Sequence, residues 1–178
     1  VRSLIKKYRR QRFSISLFLT GFVFFTYGQE NELRDYEHYE SLNIGVGYNY
    51  SYSDSDSRKE SYKLLEFSIN KTSYGGRHGG GLLYGVGTEI GLDTENFTIG
   101  PKITGIFFYN IVVLGTEVVT YTDFNKLTLR VVPIFGIGSH RFRATINPHL
   151  VVINKSYQPI NRALVSFVLN LKLNKKRL

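Results

Sequence analysis

The residues best equipped for chemistry are few in this 178-residue chain. His38, His78, His140 and His149 stand at no metal-ligand spacing such as His-x-x-x-His, and the chain has no cysteine to complete a tetrahedral set. No metal and no other cofactor is expected. Ser139 and His140 are neighbours, and Asp123 supplies an acid, so the residue types of a hydrolytic triad are present. A neighbouring Ser and His is common by chance, and no enzyme is expected. Gly79, Gly80 and Gly81 follow Arg77 and His78, but a phosphate-cradling loop needs a helix after it. An inter-strand turn fits the segment better.

A second set of polar residues is more informative because of where it falls. Glu66, Glu89, Lys102, Glu117, Arg130, Arg143 and Lys172 each stand in a stretch of alternating apolar and small residues, nearly one charge to a stretch. They read as a structural charge network rather than as a catalytic or cofactor-binding set.

Export is the first reading of the chain's organisation. Residues 1–28 carry six basic side chains and no acid, then the apolar run 13–27, which is the pattern of a secretory signal peptide. An uncleaved anchor is the other reading, although the run is shorter than the ~20 residues of a spanning helix. Outside this leader 17 basic face 14 acidic side chains, a balance of +3 against +9 for the chain, so no nucleic-acid partner is expected. The expected organisation is a signal peptide over 1–28, a polar lead-in over 29–41, a barrel domain over 42–174 and a basic tail over 175–178.

From residue 42 on, apolar side chains recur every second position, the period of a strand with two unlike faces. Over 42–53, Leu42, Ile44, Val46, Tyr48, Tyr50 and Tyr52 alternate with Asn43, Gly45, Gly47, Asn49, Ser51 and Ser53. The contrast returns over 82–93, 97–107, 127–138 and 163–173, and more weakly over 62–71, 111–122 and 142–152, giving eight strands. Turn residues fall at 54–57, 74–76, 93–96, 109–110, 123–126 and 154–161, and connections this short demand antiparallel neighbours. Register is constrained too. Pairing Asp93 with Asn96 sets Ile90 opposite Ile99, a turn at 109–110 sets Phe107 opposite Val112, and pairing Asp123 with Lys126 sets Thr122 opposite Leu127. All three keep the apolar face continuous.

Two barrels satisfy this pattern, one with the large apolar face inside and one with it outside. Repeated glycines on the polar face fit a cramped lumen. There Glu89 lies diagonal to Lys102 and Glu117 to Arg130, so charges find partners. Tyr48, Tyr50, Tyr52, Tyr84, Phe97, Phe107 and Tyr121 fall at or near strand ends, where interfacial aromatic girdles occur. The expected fold is all-β, an eight-stranded antiparallel up-and-down transmembrane β-barrel preceded by a signal peptide.

Five segments carry a resemblance: 27–30 (Tyr-Gly-Gln-Glu), 80–89 (Gly-Gly-Leu-Leu-Tyr-Gly-Val-Gly-Thr-Glu), 96–102 (Asn-Phe-Thr-Ile-Gly-Pro-Lys), 121–125 (Tyr-Thr-Asp-Phe-Asn) and 133–138 (Pro-Ile-Phe-Gly-Ile-Gly). Together they resemble small, mostly uncharacterised outer-membrane β-barrel proteins of Bacteroidetes over roughly 42–173. The resemblance implies fold and a bacterial outer-membrane location and brings no catalytic residue. The expected role is structural, adhesive or interactive, with a side-chain-filled lumen that is no general pore. A monomer in outer-membrane lipid is expected, with an extracellular partner at 53–61 and 154–161. The alternatives are a periplasmic or secreted lipid-binding barrel, lipocalin-like, and a membrane-embedded lipid-modifying hydrolase.

Overall fold

The computed structural model describes residues 37–52 and 61–178. The expected signal peptide, most of the lead-in and all but the last residue of 53–61 lie outside the described residues. What is described is antiparallel β-sheet throughout, with no helix among the described residues.

Nine strand segments follow in order: β1 (His38–Tyr52), β2 (Ser61–Gly75), β3 (Gly80–Gly91), β4 (Ile99–Tyr109), β5 (Val112–Thr122), β6 (Leu127–Gly138), β7 (Phe142–Pro148), β8 (Leu150–Ile153) and β9 (Ala163–Arg177). Segments β7 and β8 are two halves of one strand. Both pair with β6, and the ladder breaks between them at Pro148-His149. Each remaining strand pairs with its sequence neighbour, and β1 pairs with β9, closing a barrel of eight strands. The segment whose alternation is weakest is thus the one that is broken.

Two of the three expected registers hold, with Ile90 opposite Ile99 and Thr122 opposite Leu127. The third is off by two residues: Phe107 faces Leu114, not Val112, because the turn is Asn110-Ile111. Asn110 adopts a positive φ of 56°, a conformation that asparagine tolerates better than tyrosine. An even slip keeps every side chain on its face. Both ends also outrun their expected limits, β1 starting at His38 within the lead-in and β9 continuing through the basic tail to Arg177.

The hydrogen-bond direction gives the barrel its dimensions. Leu171, Ile44, Ile69, Val86, Ile103, Val118, Val131 and Leu150 are successive partners around the wall. The β7–β9 register, with Phe142 opposite Leu169, sets position 150 level with 161, ten residues from the start at 171. With a strand rise of about 3.3 Å and a spacing of about 4.8 Å, that stagger over eight strands tilts them by about 40° and gives a backbone radius of about 8 Å. Side chains fill such an interior.

Burial alternates strictly along β1: Ser41, Asn43, Asn49 and Ser51 are buried, whereas Leu42, Ile44, Val46, Tyr48 and Tyr50 are exposed. The small and polar face is the inside. Glycine is required on that face where neighbouring backbones approach. A Cβ on Gly136 would lie 2.2 Å from the carbonyl oxygen of Ala144 and 2.7 Å from Cα of Thr145, while one on the outward Gly105 meets nothing within 4 Å. Gly136→Ala is therefore expected to lower stability by about 1–3 kcal/mol, through overpacking, and Gly105→Ala to change it little. Urea midpoints of the two variants test this, and equal effects would contradict the packing argument.

Candidate functional site

Six of the seven charges singled out in the sequence lie inside the barrel. Glu66, Glu89, Lys102, Glu117, Arg130 and Arg143 are all buried. Their convergence follows from strand period and stagger, because each occupies the inward parity of a different strand or strand level. Lys102 is the hub, its Nζ lying 2.8 Å from Glu66, 2.8 Å from Glu89 and 3.1 Å from Glu117. Arg143 holds the second oxygen of Glu66 at 3.1 Å. Three cations against three carboxylates leave the set neutral, as a group removed from water requires.

The seventh, Lys172, does not join. It stands at an inward parity of β9 but is exposed, because β9 runs past the point where β7 begins, at Phe142 opposite Leu169. Past Asn170 the wall is missing on that side. The pairing of Glu89 with Lys102 is present, whereas the carboxylate of Glu117 accepts from Lys102 and from Thr104 Oγ1 at 3.0 Å. Arg130, diagonal to Glu117, donates to the carbonyl oxygens of Asn161 at 3.0 Å and Ile160 at 3.2 Å.

Several partners were not legible in the sequence. Asn49 donates to Glu66 at 3.3 Å, and the Tyr121 hydroxyl donates to Glu89. Tyr121 was expected in an outer aromatic girdle but is fully buried, since Glu117, Val119 and Tyr121 share the inward parity of β5. That parity was the available signal. The interior is also less uniformly polar than expected. Tyr62, Leu64, Val119, Tyr121, Val132, Ile160 and Leu164 pack together towards one end, and Leu83, Ile106, Phe108, Val113 and Ile134 towards the other. Apolar plugs thus flank the charges and keep water from screening them.

The two rims differ. At one, four residues (76–79), two (110–111) and three (139–141) join the strands; at the other, seven (92–98), four (123–126) and nine (154–162) do so. The 154–162 connection turns inward, burying Ile160 and Asn161 over the lumen, and His149 donates its backbone N–H to Arg162 at 2.6 Å. His149 itself is buried with its ring 5.9 Å from Tyr121, and neither ring nitrogen has a hydrogen-bond partner among the described residues. At the same rim a cavity of about 290 Å³ is lined by Tyr62, Glu95, Asp123, Lys126, Tyr157 and Gln158, among others. Hydrogen bonds from the backbone N–H of Lys126 and then of Asn125 hold the Asp123 carboxyl below its ordinary pKa. Partial burial, and then the charge of Asp123, pushes the Tyr157 phenol up to about 12.

Ser139, His140 and Asp123 are not brought together: Asp123 sits at the rim opposite the 139–141 turn. Ser139 Oγ accepts from the N–H of Arg141 at 3.2 Å, and the His140 ring stacks on Tyr74 with centroids 3.9 Å apart. Gly79, Gly80 and Gly81 belong to a hairpin turn and the start of β3, with Gly76 and Gly79 at positive φ. Among the described residues, no three His, Asp or Glu side chains converge as a metal-ligand set. No family model, curated protein or solved structure significantly matches the chain.

The hub makes the charge set asymmetric under mutation. Lys102→Gln leaves three buried carboxylates without their shared cation and is expected to cost about 3–5 kcal/mol or more, whereas Glu89→Gln removes one of three partners and costs less. Because Lys102 also serves Glu66 and Glu117, the double variant recovers only part of the Lys102→Gln loss. Denaturant midpoints of the four proteins test this, and full recovery would show an isolated pair instead of a hub. At the rim, the raised Tyr157 pKa contributes stability that is complete below the ordinary tyrosine value near 10 and is lost as pH rises through about 12. Asp123→Asn should bring the Tyr157 titration down, read as the ultraviolet difference from Tyr157→Phe; an unmoved titration would exclude Asp123 as a cause.

Proposed function

We propose that this chain is an outer-membrane barrel of structural or interaction type, anchored by its exterior, with a sealed lumen and its longer connections presented outside the cell. The observation that carries the reading is the inversion of polarity: charges are salt-bridged inside while Leu, Ile, Val and Phe cover the outside. The ring from Leu171 through Ile103 to Leu150 is aliphatic at every strand. In water, a continuous apolar surface of that extent far exceeds the few hundred Å² a soluble monomer exposes. In lipid it is the expected exterior.

Dimensions and ends support the same reading. At a tilt of about 40° each residue rises about 2.5 Å along the barrel axis, so a strand of 11 residues such as β4 spans about 28 Å, enough for the ~25 Å apolar band of such barrels. Outward aromatics gather towards both ends, with Tyr48, Tyr50, Phe97 and Phe124 at one and Tyr84, Phe107, Tyr109 and Phe142 at the other. Short turns on one rim and longer connections on the other match periplasmic and external ends. A lipocalin-like carrier needs an apolar internal cavity, and here the centre of the lumen is filled by salt-bridged side chains.

The purified chain is expected to require detergent, to shift its gel mobility on boiling, and to show no conductance when inserted into planar bilayers. A freely soluble protein without a boiling shift would sink the membrane reading. A steady single-channel current would sink the sealed lumen alone.

A further inference from the structure

The charge left over once the lumen network is closed is not spread evenly over the surface. On the rim of short turns stand Arg77, Arg141, Lys172, Lys175, Lys176 and Arg177, together with Lys71 of β2. Among the described residues the acids on that rim are Glu37 and Glu40. Both are engaged, Glu37 with Arg177 and Glu40 with Lys71, each at 2.8 Å. Among the described residues this rim carries seven cationic side chains against two carboxylate side chains.

Two of these cations, Arg141 and Lys175, are placed by specific contacts, and Lys172 lies on β9 between their anchor points. Asn170 of β9 donates from its backbone N–H to the carbonyl of Arg141 at 2.7 Å and from its side chain to the carbonyl of His140 at 3.0 Å, which ties the 139–141 turn to β9. Lys172 is the next residue on the same parity of β9. Lys175 lies 3.3 Å over the ring of Tyr39, Tyr39 is 5.8 Å from Tyr74, and Tyr74 stacks on His140. An aromatic row therefore joins Lys175 to the turn bearing His140 and Arg141. Consistent with that grouping, the His140 imidazole is held below its ordinary pKa by partial burial and then by Arg141, Lys172 and Lys175.

The opposite face of the same strand carries Leu169, Leu171 and Leu173, each about 60% exposed, and past Asn170 no neighbouring strand on the β7 side separates that face from Lys172 and Lys175. Strand β9 thus passes from bare apolar side chains to cations within a few residues. We infer that Arg141, Lys172 and Lys175 form a binding site for the phosphate headgroup of an anionic phospholipid in the leaflet at the short-turn rim. The inference rests on the membrane reading, which supplies the orientation. The chemistry is that of any phosphate, but adjacency to the lipid-facing leucines selects a phosphate carried on acyl chains.

The test is native mass spectrometry of the full chain in a neutral maltoside detergent with equimolar phosphatidylglycerol and phosphatidylcholine. The glycerol lipid is expected to be retained roughly ten-fold over the choline lipid, since each juxtamembrane cation adds severalfold to such binding. The Arg141→Gln, Lys172→Gln, Lys175→Gln triple variant should fall to parity, and Lys155→Gln with Arg162→Gln at the opposite rim should not. The charge-conserving Arg141→Lys, Lys172→Arg, Lys175→Arg variant guards against a mere folding defect by retaining the preference. Bound lipid should also raise the His140 titration seen by nuclear magnetic resonance. Equal retention of the two lipids, a preference surviving the triple variant, or inorganic phosphate displacing the lipid at equal concentration would each overturn the site. Failure of the membrane reading is scored separately, as a chain that is soluble without detergent and lacks the boiling shift.

Discussion

One ammonium group holds the centre of this barrel together. Lys102 neutralises carboxylates from β2, β3 and β5 at once, and Arg143 on β7 braces Glu66 from its other side. A narrow, inside-polar barrel must balance its interior charge, because a carboxylate left alone there is costlier than any one cross-strand pair can offset. With three carboxylates on one cation, the strands that carry them share a single electrostatic centre, and their relative registers are no longer independent.

The apolar plugs on either side make that centre effective. Phe108, Ile106 and Leu83 close one end, and Leu64, Val119 and Ile160 the other, so the ions interact where water does not weaken them. The same arrangement accounts for the inward course of 154–162, whose Ile160 completes a plug while its carbonyl oxygen receives Arg130. It also fits a protein whose proposed contacts with its surroundings lie on the outer wall and at the rims instead of along a channel.

The two rims differ in what they present. At one, longer connections enclose a polar cavity beside Asp123 and Tyr157; at the other, the β1–β9 ribbon carries Lys175, Lys176 and Arg177 past the exposed Leu173. Both features arise where the barrel wall ends, because there the strict alternation of outward-facing and lumen-facing positions no longer constrains residue type.

Strand number, face assignment and two hairpin registers were legible in the sequence by itself, since a period of two is a local property and a buried face penalises any odd slip. The positions of Glu66, Glu89, Lys102, Glu117, Arg130 and Arg143 were legible for the same reason. Which of them meet was not. Cross-strand diagonals reach only the next strand, while Lys102 meets Glu66 two strands away across the curved interior, a contact that exists only after closure and stagger set the radius. Tyr121 was misplaced because an aromatic near a strand end suits a girdle or a plug equally until parity is read against Glu117. Lys172 was misplaced because parity says nothing of where the neighbouring strand stops. Local alternation thus determined the wall; closure of the barrel decided its contents, because only the closed ring brings non-neighbouring strands within the reach of a side chain.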